Sequence, residues 1–227
     1  MMQSEHERRA YLRAMGIDVW VPRDRVDADA APVAAESPGG PGALGWDALC
    51  DTVAACTRCA LHESRTQTVF GVGNRDADWM IVGEAPGAEE DRRGEPFVGR
   101  AGQLLDEMLF AVGQDRNRVF IANILKCRPP NNRDPSQEEA ASCRPYLERQ
   151  IELVRPAIIL AVGRIAAQQL LQSDAPVGRL RGRVHRLGAI PLVVTYHPAY
   201  LLRSPSQKRK AWDDLCMAAG IMAEAAA

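Results

Sequence analysis

Short, wholly apolar runs alternate with longer amphipathic stretches over most of this chain. Trp79-Met80-Ile81-Val82 contains no polar residue and stops at Gly83. A run that short, closed by a glycine, predicts a strand buried on both faces. Val119–Ile124, Ala157–Val162 and Leu192–Tyr196 repeat the pattern, which gives four such strands. Between them the apolar positions fall at helical spacing. Residues 101–112 place Leu104, Leu105, Met108 and Leu109 on one face, with Gly113 as the stop. Residues 136–154 predict a long helix: Ser136 caps it, Glu139 completes a capping box, and Pro156 lies just past its end. Further helices are expected over 164–172 and 206–222. Strand–helix alternation of this kind predicts an α/β fold with a parallel sheet covered on both faces.

In such sheets ligands bind beyond the carboxyl ends of the strands. Those ends lead into Gly83-Glu84-Ala85-Pro86-Gly87, Asn123, Gly163-Arg164 and His197-Pro198. Three of the four loops carry groups able to do chemistry.

Ahead of the first strand the pattern changes. Tyr11, Leu12, Met15 and Ile17 form a weak apolar stripe, and Gly16 can end a short helix there. Residues 27–45 are rich in Ala, Pro and Gly and read as a linker. The expected organisation is a helical segment over 1–26, a flexible linker over 27–45 and one folded domain over 46–227. The 227 residues are 46% hydrophobic and 25% charged, enough for one sizeable core. The formal net charge of -1 announces no global basic field. Residues 1–48 hold five Arg against eight Asp and Glu, whereas the remainder holds 23 Lys and Arg against 21 Asp and Glu. Local basic clusters can still grip phosphates. The polar start lacks the apolar core of a signal peptide, and nowhere is there a run of about 18 apolar residues. The expectation is a cytoplasmic protein with no membrane partner.

Six cysteines in a reducing compartment point to thiols or metal ligands rather than disulfides. Cys56 and Cys59 form a C-x2-C pair; Cys127 and Cys143 follow, with 15 residues between them. Zinc and a [4Fe-4S] cluster suit four thiolates equally well, and four small buried hydrophobes are the plain alternative. Cys50 and Cys216 sit in helical contexts and read as ordinary residues.

The order C-x2-C, GEAPG-x2-ED, GEPFVGRAGQLLD, NILKCRPPNNRDP, a fourth Cys, then HPAYLLRSP resembles the family 4, iron–sulfur uracil-DNA glycosylases over about residues 50–217. The resemblance implies a three-layer α/β/α fold around a mainly parallel four-stranded sheet. It implies a hydrolase that removes uracil from DNA, with a monomeric catalytic domain and uracil-containing DNA as its partner. It also implies that Cys56, Cys59, Cys127 and Cys143 hold a [4Fe-4S] cluster of structural role. A related branch that captures uracil covalently has a basic insert ending in a nucleophilic His. Here that stretch reads Lys126-Cys127-Arg128-Pro129-Pro130-Asn131-Asn132, without insert or His, which implies ordinary turnover.

Extruded uracil needs a stacking face, a reader of its edge and a donor for the leaving anion. Phe97 is the candidate face. Asn123 can accept from N3–H and donate to O4, the reverse of what cytosine requires. His197 can donate to O2 as charge develops. A carboxylate would orient the attacking water, and Glu84 is the first choice. The best-known uracil-DNA glycosylases have an Asp where this chain has Ala85, so Asn132 is kept as the second choice, with Glu90 or Asp91 behind it. Lys126, Arg128 and Arg133, then Arg179, Arg181, Arg183 and Arg186, then Arg203, Lys208, Arg209 and Lys210 are candidates for phosphate contact. Leu201 is read as an exposed wedge for the gap left by a flipped base.

Residues 8–23 are similar to the peptide by which the psi subunit of the bacterial DNA polymerase III clamp loader binds the chi subunit, through Leu12, Met15-Gly16-Ile17 and Trp20. That makes chi a candidate partner. It also sets a second reading beside the enzyme: a replication accessory subunit on a glycosylase-like scaffold with weak or no activity.

Overall fold

The computed structural model describes residues 41–226. The segment over 1–26, with its chi-docking expectation, and the linker up to residue 40 lie outside the described residues. The elements run α1 Trp46–Ala54, β1 Val72–Gly73, β2 Trp79–Gly83, α2 Ala88–Arg93, α3 Arg100–Phe110, β3 Phe120–Asn123, α4 Gln137–Val154, β4 Ile158–Val162, α5 Arg164–Leu171, α6 Val177–Leu180, β5 Val184–Leu187, β6 Ile190–Thr195, α7 Pro198–Arg203 and α8 Lys208–Ala226.

The sheet order is β1-β3-β2-β4-β6-β5. The four strands read from apolar runs form its parallel centre, with Gly83 opposite Asn123 and Val162 opposite Thr195. Two antiparallel edge strands extend the expected four to six. β1 is only two residues long, too short for any periodic signal. β5 and β6 form a hairpin through Gly188-Ala189, and β5 alternates exposed with half-buried residues, as an edge strand does.

Successive strand residues feed two cores. Met80, Val82, Phe120, Ala122, Ile159, Ala161, Leu192 and Val194 face one side, under α4, α5 and α6. Trp79, Ile81, Ile121, Ile158, Leu160, Val162 and Val193 face the other, under α3, α7 and α8. This is the three-layer α/β/α arrangement. A third apolar cluster joins α1 to Leu125, Cys127, Cys143 and Tyr146. The capping box of α4 forms as read: Ser136 Oγ accepts from Glu139 N–H at 3.1 Å, and Glu139 Oε2 accepts from Ser136 N–H at 2.8 Å. Packing reaches back before Trp46, where Arg149 Nε donates to the Leu44 carbonyl at 2.7 Å. No helix among the described residues is long and apolar enough to cross a membrane.

Candidate active site

β2 leaves toward β3, whereas β4 leaves toward β6, so the connections diverge between β2 and β4. That is where open α/β sheets hold ligands. A cavity of about 700 Å³ opens there, lined by Glu84, Ala85, Glu90, Phe97, Asn123, Asn132 and His197 among others. Of the nine residues singled out for catalysis or base binding, the cavity therefore gathers seven; Asp91 lies outside it, buried in α2 with its carboxylate accepting from the Thr66 N–H.

Leu201 is the other residue outside it. It is 1% exposed and belongs to the core beneath α3 and α8. The helical turn of α7 carries it inward, while its neighbours Tyr200 and Leu202 stay 36% and 38% exposed. The reading of Leu201 as a surface wedge is corrected accordingly.

Asn123 ends β3 and is buried, yet its Oδ1 has no hydrogen-bond partner among the described residues. Leaving a buried acceptor unpaired costs on the order of 1–3 kcal/mol. Such a group is set up to receive a donor from a ligand. A Cβ on Gly83 would come within 2.4 Å of that oxygen and 2.5 Å of the Phe97 ring. Only glycine lets the strand end, the amide and the aromatic face converge.

Phe97 lies in a loop with φ 55°, and its ring stacks on His197 with centroids 5.6 Å apart. His197 caps α7. Its Nδ1 accepts from Ala199 N–H at 3.1 Å, which leaves the proton of the neutral ring on Nε2. Burial pushes its pKa down to about 4, helped by the Arg203 charge and opposed by Glu90. His197 is thus a neutral donor at physiological pH.

Glu84 follows β2. Burial pushes its pKa up to about 6; Asp134 adds to the shift and Arg164 opposes it. Asp134 and Arg164 form an ion pair beside it, which the sequence reading missed because the two are 30 residues apart. Glu90 is a structural clamp as well as a lining residue: its carboxylate accepts from the N–H groups of Gly87, Val98 and Gly99. Asn132 sits exposed at the rim with φ 53°, its Oδ1 accepting from Arg128 Nε at 2.8 Å. Ala85 packs toward the cysteine cluster.

Cys56, Cys59, Cys127 and Cys143 line one small cavity. Burial pushes the Cys143 thiol up to about 11 and raises that of Cys127, so thiolates there need positive charge nearby. Arg65 donates to Cys127 Sγ at 3.0 Å, and the Lys126 N–H donates to Cys143 Sγ at 3.2 Å. Among the described residues no three His, Cys, Asp or Glu side chains are placed to share a single ion. Four thiols thus line one cavity, and two of the sulfurs accept hydrogen bonds, a donor set of the kind that holds a soft metal centre.

The basic candidates divide. Lys126 is 1% exposed; its Nζ donates to the Asn123 carbonyl at 2.9 Å and to Gln150 Oε1 at 2.6 Å. It braces the strand end and does not meet phosphate. Arg181 is committed to the buried Asp214, and Arg133 pairs with Glu139. Arg179, Arg183, Arg203, Lys208 and Lys210 are exposed and enter no ion pair among the described residues.

Comparison with known proteins places this geometry. Residues 70–216 match the family described as the uracil DNA glycosylase superfamily. This chain belongs to that superfamily. It is 43% identical to the type-4 uracil-DNA glycosylase of Archaeoglobus fulgidus, over 72% of this chain and 86% of that protein. The type-4 enzyme of Pyrobaculum aerophilum is 44% identical over 74% and 90% of the two chains, and that of Thermotoga maritima 45% over 70% and 83%. The matched residues 70–216 contain the glycine loop after β2, Asn123 and the His197 turn.

Proposed function

We propose that this protein is a DNA-repair glycosylase that hydrolyses the N-glycosidic bond of uracil in DNA and leaves an abasic site. The observation that carries the reading is the buried Oδ1 of Asn123, without a partner among the described residues, converging with the Phe97 ring over Gly83. An acceptor there matches uracil N3–H, and the amide nitrogen can donate to O4. Cytosine would set acceptor against acceptor and donor against donor.

The steps follow from these residues. The flipped base stacks on Phe97. Negative charge grows on uracil O2 as the C1′–N1 bond breaks, and the Nε2–H of neutral His197 donates to it. Removing such a donor costs about 3–4 kcal/mol of transition-state stabilisation. Glu84, as carboxylate, stabilises the cationic sugar and holds the water that adds at C1′. That water loses its proton, and the uracil anion takes one from solvent, so the charges balance. Asn132 at the rim is the second candidate for holding this water. Cys56, Cys59, Cys127 and Cys143 are read as the ligands of a [4Fe-4S] cluster, which when bound ties α1 to the start of the post-β3 loop. The sequence motifs at this site are those of the iron–sulfur glycosylases.

Incubation with uracil-containing oligonucleotides followed by alkali tests the reading. Strand cleavage at uracil, absent with cytosine or thymine and lost in Asn123→Ala, is the expected result. No cleavage by iron-loaded protein would overturn it. Visible thiolate–iron absorption with matching iron and sulfide content checks the cluster; zinc alone would refute it.

A further inference from the structure

We propose that Arg116 is a positioning residue for base recognition, clamping the Phe97 platform in the backbone conformation that turns its ring into the cavity. The inference rests on the glycosylase reading above.

Phe97 has φ 55°, a left-handed conformation that bulky side chains rarely adopt. Such a residue persists only where its surroundings over-determine it. Arg116 supplies the main restraint. One terminal nitrogen donates to the Phe97 carbonyl at 3.1 Å, and the other donates to the Pro96 carbonyl at 2.7 Å. The first also meets Asp106 Oδ1 at 3.1 Å, which fixes the guanidinium against α3.

On the far side of the loop, Glu90 Oε1 accepts from the N–H groups of Val98 and Gly99 at 3.0 and 3.2 Å. A cation therefore holds the carbonyls on either side of the Phe97 Cα, while an anion holds the next two N–H groups. Gly102 completes the seat: a Cβ there would lie 1.7 Å from the Phe97 carbonyl oxygen. Arg116 itself is outside the cavity lining, and its side chain is only 25% exposed. It can act on the base only through Phe97. A planar fork of donors can span two successive carbonyls and a carboxylate; the point charge of lysine cannot.

The test compares wild type, Arg116→Ala, Arg116→Lys and Asp106→Asn in the full chain. Amide exchange over residues 96–99, kcat/KM on a uracil oligonucleotide, and affinity for the same strand without uracil are measured together. Arg116→Ala is expected to speed exchange at Val98 and Gly99 and to lower kcat/KM roughly a hundredfold, the scale of a small misplacement at a reacting centre. Affinity for the uracil-free strand stays at the wild-type level. Arg116→Lys falls between, and guanidinium far below denaturing concentrations restores part of the Arg116→Ala loss. Unchanged exchange in Arg116→Ala overturns the clamp, and so does faster exchange with undiminished uracil release. If Arg116→Ala does not fold, Arg116→Lys and Asp106→Asn decide by the same two criteria. Failure of the underlying reading is distinguishable, because the wild type itself would then release no uracil, and that removes the platform's purpose.

Discussion

Phe97 and His197 lie ring against ring, 5.6 Å between centroids and 28° from parallel. In the proposed mechanism one side chain therefore serves two ends: it offers a face to the base and keeps water from the imidazole. Phe97→Ala should lose stacking worth about 1–3 kcal/mol and reduce kcat/KM by roughly ten- to a hundredfold. It should also let the His197 pKa climb from about 4 toward its ordinary 6.5. Phe97→Leu fills the space without a flat face, so activity should fall while the His197 pKa stays low. Nuclear magnetic resonance titration of the ring beside steady-state kinetics separates the two effects. A His197 pKa that ignores both substitutions would refute the shielding role.

In its proposed role as the carboxylate that holds the water, Glu84 should set the acid limit of activity. Burial holds its carboxyl near 6, above the ordinary 4.5, so kcat/KM should drop as pH falls through about 6. His197 adds no second limb there, being neutral down to about 4. Glu84→Gln should be slow and flat across the same range. The sign for stability is opposite. A raised carboxyl pKa favours the fold below about 4.5 and loses that contribution as pH rises through about 6. At pH 8 Glu84→Gln should therefore melt higher, by on the order of 1 kcal/mol once solvent screening is allowed for. Equal melting of the two proteins at pH 8 would count against the shift.

The four central strands were legible because each is a short apolar run closed by a glycine or a polar turn; β4 ends at Val162, where the pattern ends, and the other three end within one residue of it. Their carboxyl ends named the loops that hold Glu84, Asn123 and His197. The edge strands were not legible for different reasons. β1 has two residues, and β5 mixes His185 and Arg186 with Val184 and Leu187, although Gly188-Ala189 between two alternating runs was a usable hairpin signal. Charge was the poorest guide. Lys126 and Arg181 look like any surface cation in sequence, yet one is buried against Asn123 and the other against Asp214. Leu201 misled because a helical turn, invisible in a nine-residue motif, decides which of three consecutive apolar residues points inward. Arg116 carries no motif at all; its role depends on two carbonyls 19 and 20 residues earlier.

Removing the proposed cluster should loosen one corner rather than the whole molecule. The cysteines belong to the cluster around α1, Leu61 and Tyr146, whereas both sheet cores are free of them. Chelation or Cys143→Ala should lower Tm by roughly 10 °C, taking a loss of a few kcal/mol at about 2–4 °C each. Hydrogen exchange should rise across residues 46–63 and stay protected in β2, β4 and β6. Uniform loss of protection would mean that the cysteine group supports the sheet directly.

Salt dependence distinguishes cations that meet DNA from those that brace the fold. Each phosphate contact contributes about 0.9 to the log–log salt slope on duplex and about 0.7 on single strands. Arg203 lines the cavity, and Lys208 and Lys210 lie in the first turn of α8, all three exposed. Arg203→Ala and Lys208→Ala should each flatten the slope by nearly one unit and weaken binding to strands with and without uracil alike. Lys126→Met should leave the slope untouched, because its ammonium is enclosed by the Asn123 carbonyl and Gln150. Its effect should fall on the Asn123 end of the site, raising KM for uracil strands while binding of uracil-free strands keeps its wild-type salt slope. A flattened slope in Lys126→Met would place that ammonium at the DNA and contradict its burial.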